Sequence, residues 1–229
     1  HTAYRRQRQM CIRDSVMTTS NEKIGGEMYF TANPNSEHHF QNFDFDLLGN
    51  TLHFTTDSGV FSKSTVDFGT RTMLDALDKT TLTDGKVLDL GTGYGPVGVA
   101  IAKKYQRPVD MVDVNERALA LAQQNAKQNG VDQLVSVFQS DIYQQITDQY
   151  ALILTNPPIR AGKEVVTTML QDAVHHLVPG GKLIAVLQKK QGAPSAQKNM
   201  LAAFGNAKVI AKNKGYYILE STYEPDTHI

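Results

Sequence analysis

One cysteine, Cys11, stands in the 229 residues of this chain. That scarcity excludes a disulfide framework, a cysteine-based metal site and a cysteine nucleophile. Long apolar runs are missing as well: none approaches the roughly 20 residues needed to span a bilayer. The N-terminal stretch is polar and arginine-rich, without the apolar segment of a secretory signal. The expected location is therefore the cytoplasm, with no membrane partner. Net charge is absent too, 23 basic residues facing 23 acidic ones, so no overall basic balance advertises nucleic acid. The seven histidines show no ligand-like spacing, and no metal is expected. His175 and His176 precede Pro179-Gly180-Gly181 and read as cations near a helix C-terminus. Repeats and low-complexity tracts are also lacking. What is present is 41% hydrophobic and 20% charged, enough for one sizeable α/β domain with a short extension.

Residues 1–16 stand apart, having no apolar period of 2 or of 3.6. The string Cys11-Ile12-Arg13-Asp14-Ser15 resembles translated sequencing-adapter read-through, and we expect the segment to be a scar or a disordered arm. Without it the balance is 19 basic against 22 acidic residues, with Met17 or Met28 as the expected start. From Tyr29 to Thr56 short strands are expected. Phe43 to Leu47 and Leu52 to Phe54 alternate around a Gly49-Asn50 turn, a hairpin pattern. Thr70 to Leu77 is a short helix candidate, so residues 17–84 read as a β-rich extension and 85–229 as the main domain.

A strand–helix alternation then takes over. Strands are expected at Lys86–Leu90, Val109–Asp113, Leu134–Phe138, Tyr150–Thr155, Lys182–Gln188, Ala207–Ala211 and Tyr216–Ser221. Helices are expected at Val97–Tyr105 and from an Asn115 cap to Asn129 with Gly130 behind it. Another carries Val166, Leu170, Ala173 and Leu177 on one face and breaks at Pro179-Gly180-Gly181. The last lies near Ala196–Phe204. This pattern predicts a mostly parallel, seven-stranded, doubly wound sheet with helices on both faces. Ligands of such sheets sit at the strands' C-terminal ends.

Asp89-Leu90-Gly91-Thr92-Gly93-Tyr94-Gly95-Pro96-Val97-Gly98 joins the first strand of this series to its helix. Glycines at 91, 93 and 95 let backbone approach a ligand closely. Gly93, Gly95 and Gly98 formally match a dinucleotide fingerprint, but a lone match is weak. Asp89 would repel a pyrophosphate and suits the ammonium of a bound amino acid, which favours S-adenosylmethionine over NAD. Asp113, 22 residues after Gly91, ends the next strand where it can accept from ribose hydroxyls, with Val114 beside it. Asp141-Ile142 follows the third strand, where a carboxylate and an apolar side chain can bracket an adenine. Asn156-Pro157-Pro158-Ile159 follows the fourth. Two prolines remove two backbone donors and end the sheet there. They leave the Asn156 side-chain oxygen and the Pro157 carbonyl as acceptors for the two hydrogens of a planar amine.

From about Met28 onward the chain resembles the small-domain methyltransferases related to ribosomal small-subunit RNA guanine-N2 methyltransferases, especially the single-domain Gram-positive type. The resemblance rests on Gly59-Val60-Phe61-Ser62, Asp89 to Gly98, Asn156 to Lys163, Gln188 to Ser195 and Lys214 to Leu219. It implies a Rossmann-like class I fold and S-adenosylmethionine bound by Asp89, Gly91, Gly93, Asp113 and Asp141. It also implies that Asn156 and Pro157 grip the target amine. Ile159 stands where many amino-methylating enzymes have an aromatic ring, and the two-domain relatives carry a further N-terminal domain. The target base would have to be extruded from its stack. Arg160, Lys163, Lys189 and Lys190 are candidate RNA-backbone contacts, and Lys208, Lys212 and Lys214 can add a rim. Three rivals stay open: a protein glutamine methyltransferase, an NAD-dependent oxidoreductase, and a non-catalytic RNA-binding module. The sequence sets no oligomeric state.

Overall fold

A computed structural model of the chain describes residues 39–57, 65–77 and 82–225. The segment 1–16, the Tyr29 end of the strand-rich stretch and Gly59-Val60-Phe61-Ser62 lie outside the described residues. Strands β1 (Phe40–Leu47) and β2 (Asn50–Asp57) form an antiparallel hairpin in which Phe43 pairs with Phe54 and Leu47 with Asn50. The turn is Leu48-Gly49, both at positive φ, and not the expected Gly49-Asn50. The hydrophobic register explains the difference: a slip of one residue would turn Leu52 and Phe54, both buried, toward solvent.

Helix α1 (Phe68–Leu77) starts two residues before the expected Thr70. Asp67 caps it, its Oδ1 accepting from the Thr70 N–H at 3.0 Å. The main sheet contains β3 (Val87–Leu90), β4 (Val109–Asp113), β5 (Val135–Gln139), β6 (Tyr150–Thr155), β7 (Leu177–Gln188), β8 (Lys208–Asn213) and β9 (Tyr216–Thr222). Their order is β5-β4-β3-β6-β7-β9-β8, parallel from β5 to β7, with β9 antiparallel to both neighbours. Helices α2 (Pro96–Tyr105) and α3 (Glu116–Gln128), with α1 and the hairpin, cover one face. Helices α4 (Lys163–Gln171) and α5 (Ala193–Phe204) cover the other. Side chains alternate between the two cores: Val87, Leu152 and Leu154 point to the first, Leu88, Leu90 and Ile153 to the second. A sheet buried on both faces requires such strands. The expected Rossmann-like α/β architecture is the one observed.

Two local expectations change. Helix α4 ends at Gln171, and a 3-10 turn, Asp172–His176, follows it. Leu177 already opens β7, which runs through Pro179-Gly180-Gly181 with a shift in its pairing to β6 between Tyr150 and Leu152. Leu177 thus keeps its buried place as a strand residue, and the break falls earlier than expected. His175 and His176 do stand in the last turn of a helix, but it is this short 3-10 segment. The His176 ring stacks on Tyr143 with centroids 4.5 Å apart, and burial and the neighbouring His175 hold its pKa below the ordinary value.

Asparagines on α3 fasten the hairpin. The Asn125 Oδ1 accepts from Thr55 N–H at 2.8 Å, while its Nδ2 donates to the Thr55 and Tyr94 carbonyls at 2.9 and 2.7 Å. Asn129 treats His53 likewise, accepting from its N–H at 2.9 Å and donating to its carbonyl at 2.7 Å. Side-chain amides thereby stand in for the neighbouring strand that the edge of β2 lacks. Among the described residues no helix is long and apolar enough to cross a membrane, and no group of three or more His, Cys, Asp or Glu is placed to hold a metal.

Asn125→Leu should lower unfolding free energy by about 2–4 kcal/mol, because it strands three backbone groups away from water. Urea unfolding measures this, and a loss below about 1 kcal/mol, the net value of one hydrogen bond, would show that the amide is not what holds the hairpin.

Candidate active site

The sheet order reverses between β3 and β6, because successive strands are added first on one side of β3 and then on the other. Such a switch point opens a cleft beyond the strands' carboxyl ends. Asp89 lies at that end of β3 and is buried. Its Oδ2 accepts from the Thr92 hydroxyl at 2.6 Å and from the Gly98 N–H at 2.8 Å. The carboxylate thus ties strand, loop and helix α2 together. Gly98 has to be glycine, since a Cβ there would lie 2.6 Å from Met111 Cγ and 3.1 Å from Asp89 Oδ2. Gly95, at φ 92, caps α2 and is pressed against Met111 and Ala122. Gly93, at φ 57, has open space where a Cβ would be, and its N–H donates to Asp113 Oδ2 at 2.9 Å. Asp113 also accepts from Asn115 N–H at 3.0 Å. Burial raises the pKa of Asp113, against the pull of these N–H donors.

Two cavities meet in the cleft. The first, ≈ 630 Å³, is lined by Gly91, Asp113, Val114, Asp141, Ile142, Asn156 and Pro158, with Val112, Val165 and Met169 as apolar wall. Its size suits a small-molecule ligand. Asp141 is exposed, its Oδ2 accepting from Gln144, and Ile142 sits at the unusual φ of 51. A nucleoside, whose hydroxyls donate, fits these acceptors and walls: a carboxylate at Asp113, a second at Asp141 and apolar side chains between them. The second cavity, ≈ 380 Å³, is lined by Asp89, Thr92, Gly93, Pro157 and Arg160, and shares Gly91, Asn156 and Pro158 with the first.

Asn156 follows β6 directly. Its Nδ2 donates to Asp67 Oδ1 at 3.1 Å and to Thr70 Oγ1 at 3.2 Å. The Pro158 carbonyl accepts from Ala161 N–H at 2.8 Å, closing the 3-10 turn Ile159–Ala161. Of the basic residues singled out above, Arg160 lines the second cavity. Lys163 lines a separate groove between α4 and α5, and Lys189 and Lys190 are exposed in the turn after β7. Lys214 Nζ sits 5.0 Å over the Phe68 ring and Lys212 Nζ 4.7 Å over Tyr217. The Ile159 side chain lies outside the described residues. Sequence reasoning missed Asp67, Thr70, Gln188 and Tyr216, which also line the second cavity. Asp67 could have been read as a helix cap, but its contact with a residue 89 positions away carries no local signal.

Fold and site together define a Rossmann-like methyltransferase, a class whose methyl donor is S-adenosylmethionine. The chain belongs to the methyltransferase small domain family, which matches residues 51–220. The uncharacterized protein YbxB of Bacillus subtilis is 43% identical over 198 residues, covering 85% of this chain and 98% of its own length. Ribosomal RNA small subunit methyltransferase C of Vibrio vulnificus is 30% identical over 188 residues, 80% of this chain but 53% of that protein. The chain thus spans about half the length of that relative. Among solved structures, the T. thermophilus 16S rRNA N2 G1207 methyltransferase in complex with AdoMet and guanosine superposes with a TM-score of 0.73. It is 24% identical, and the match covers 84% of this chain and 53% of that one.

The burial of Asp89 has a measurable consequence. It raises the carboxyl pKa from 3.8 to about 6, against the Thr92 and Gly98 donors, with the nearby Asp113 charge adding to the rise. A raised pKa means that the folded state holds the proton more tightly. The stability from this group is therefore full below pH 3.8 and lost as pH rises through about 6. Asp89→Asn removes the penalty. The ligand-free variant should gain up to about 3 kcal/mol on the parent between pH 4 and pH 7.5. Urea unfolding at both pH values tests this, and a pH-independent difference would contradict it.

Proposed function

We propose that the chain transfers a methyl group from S-adenosylmethionine to the exocyclic N2 of a guanine in small-subunit ribosomal RNA. The observation that carries this reading is the meeting of two cavities at Asn156 and Pro158, with the Asn156 NH2 held back by Asp67 and Thr70. The Asn156 oxygen is left as an acceptor at the junction. With the Pro157 carbonyl it can take both hydrogens of a planar amine and turn the nitrogen lone pair toward the donor. When bound, the cofactor supplies an electrophilic methyl on a good leaving group, so alignment and charge placement are the protein's share. Asp113 and Asp141 would hold the nucleoside end in the larger cavity, beside Val114 and Ile142. Asp89, with Gly91, Thr92, Gly93 and Gly95 around it, would face the amino-acid end. Nearly dry and negative, Asp89 favours an ammonium group over a phosphate.

The base is supported by the named activity of the relatives above and by what the rim presents. Arg160 lines the second cavity and Lys214 rests on Phe68, whose ring packs on the cavity-lining Tyr216, with Lys163, Lys189 and Lys190 elsewhere on the surface, so a neutral chain still offers local cations to RNA phosphates. The extruded guanine would sit against Gln188, Tyr216 and the Ile159 turn.

Asp113→Ala should weaken S-adenosylmethionine binding by about 1.5–3 kcal/mol, the worth of hydrogen bonds to a charged acceptor. Calorimetry with S-adenosylmethionine and with NAD checks this, and saturable NAD binding would overturn the cofactor. Asn156→Ala should lower methyl transfer by about 10²–10³, as removal of one oriented polar group does in other sites, with cofactor affinity within a few-fold of the parent. The assay incubates purified protein, labelled cofactor and RNA from cells lacking the gene, then identifies the labelled nucleoside. Label in protein alone would move the target to a glutamine side chain. Full activity of the variant would make the Asn-Pro-Pro turn purely structural.

A further inference from the structure

We propose that Asp67, supported by Thr70, is a positioning residue that locks the Asn156 amide with its oxygen toward the substrate. The proposal rests on the reading of Asn156 given above. A carboxamide has two ends of similar shape and opposite hydrogen-bonding character, and rotation by 180° exchanges them. Turned the wrong way, Asn156 would present donors to the hydrogens of the incoming amine. Something in the protein has to forbid that orientation.

The two N–H groups of Asn156 meet two acceptors, Asp67 Oδ1 at 3.1 Å and Thr70 Oγ1 at 3.2 Å. The partners differ in what they tolerate. The Thr70 hydroxyl can donate as well as accept, so alone it would accommodate either orientation. A carboxylate only accepts. The flipped amide would set its oxygen against Asp67 Oδ1, and that repulsion selects one state. A charged acceptor also polarises the amide, which makes Asn156 Oδ1 a stronger acceptor for the target.

Asp67 is itself fixed. The same Oδ1 accepts the Thr70 N–H at 3.0 Å, so the residue that caps α1 is the one that reads the amide. The helix is pressed onto the end of the sheet. A Cβ on Gly69 would lie 2.9 Å from the Tyr216 ring, and Phe68 packs on that ring with centroids 5.6 Å apart. The segment before β3 thereby completes the site.

The test separates this role from helix capping. Asp67→Ser keeps a good cap residue but shortens the side chain away from Asn156. With an unmodified 16S RNA transcript as methyl acceptor, it should lower kcat about tenfold while leaving cofactor Kd and melting temperature near the parent's. In an Asn156→Asp background, where a symmetric carboxylate has no wrong end, the same change should lower kcat less than about twofold, or raise it by relieving like charges. Equal losses in both backgrounds would overturn the proposal. A second readout needs no substrate. In spectra of protein labelled with ¹⁵N-asparagine, the Asn156 NH2 pair should exchange slowly in the parent and fast in Asp67→Ser, and fast exchange in the parent would also overturn it. Should Asn156→Ala keep full activity, the underlying reading of Asn156 fails instead, and the exchange measurement still judges the lock.

Discussion

The buried carboxylate of Asp89 is the constraint on which the cleft depends. Its Oδ2 gathers the Thr92 hydroxyl and the Gly98 N–H, so the end of β3, the glycine turn and the first turn of α2 cannot move independently. The close approach requires Gly98 to lack a side chain against Met111. The next bond along the loop, from Gly93 N–H to Asp113, carries the constraint across to β4. A negative charge held in so dry a place destabilises the empty protein and is relieved by a cation. The same carboxylate thus shapes the turn and, in the proposed function, would meet the ammonium end of the cofactor.

The residues before β3 contribute in two distinct ways. The hairpin is a small sheet of its own, yet Leu47, Leu52 and Phe54 join the core under α2 and α3. Asn125 and Asn129 satisfy the edge of β2, and Asn125 also holds the Tyr94 carbonyl inside the glycine turn. Stability of the extension is thereby coupled to the geometry of the loop. Helix α1 reaches the site from the other direction, through Asp67 and Thr70. Neither contact is a matter of fold class. Both come from polar side chains placed at the ends of secondary structure, where backbone groups lack partners.

Under the proposed function, a chain with no net charge would meet RNA through local cations. The proposed chemistry would sit at the junction of two cavities, with Arg160 lining the smaller one and Lys212 and Lys214 each resting on an aromatic ring that limits its freedom. The match to YbxB runs over nearly that protein's whole length, whereas the named ribosomal RNA methyltransferases extend over about twice the matched region.

By itself the sequence determined the order of strands and helices, because apolar periods of 2 and 3.6 report burial directly and Asn115, Gly130 and the glycine turn punctuate them. It also singled out Asp89, Asp113, Asp141 and Asn156, since each ends a strand at the side where a doubly wound sheet opens. Local pattern was weaker where two signals competed. Leu177 fits a helical face as well as a strand start, and Gly49 attracted a turn that the Phe43–Phe54 pairing places one residue earlier. Only the tertiary structure decided which cations approach the cavities, that His176 stacks on Tyr143, and that Asp67 and Thr70 hold the Asn156 amide. The reason is physical. Burial along one element is periodic and written in neighbouring residues, whereas a hydrogen bond between side chains 89 positions apart exists only once α1 is packed against the end of the sheet.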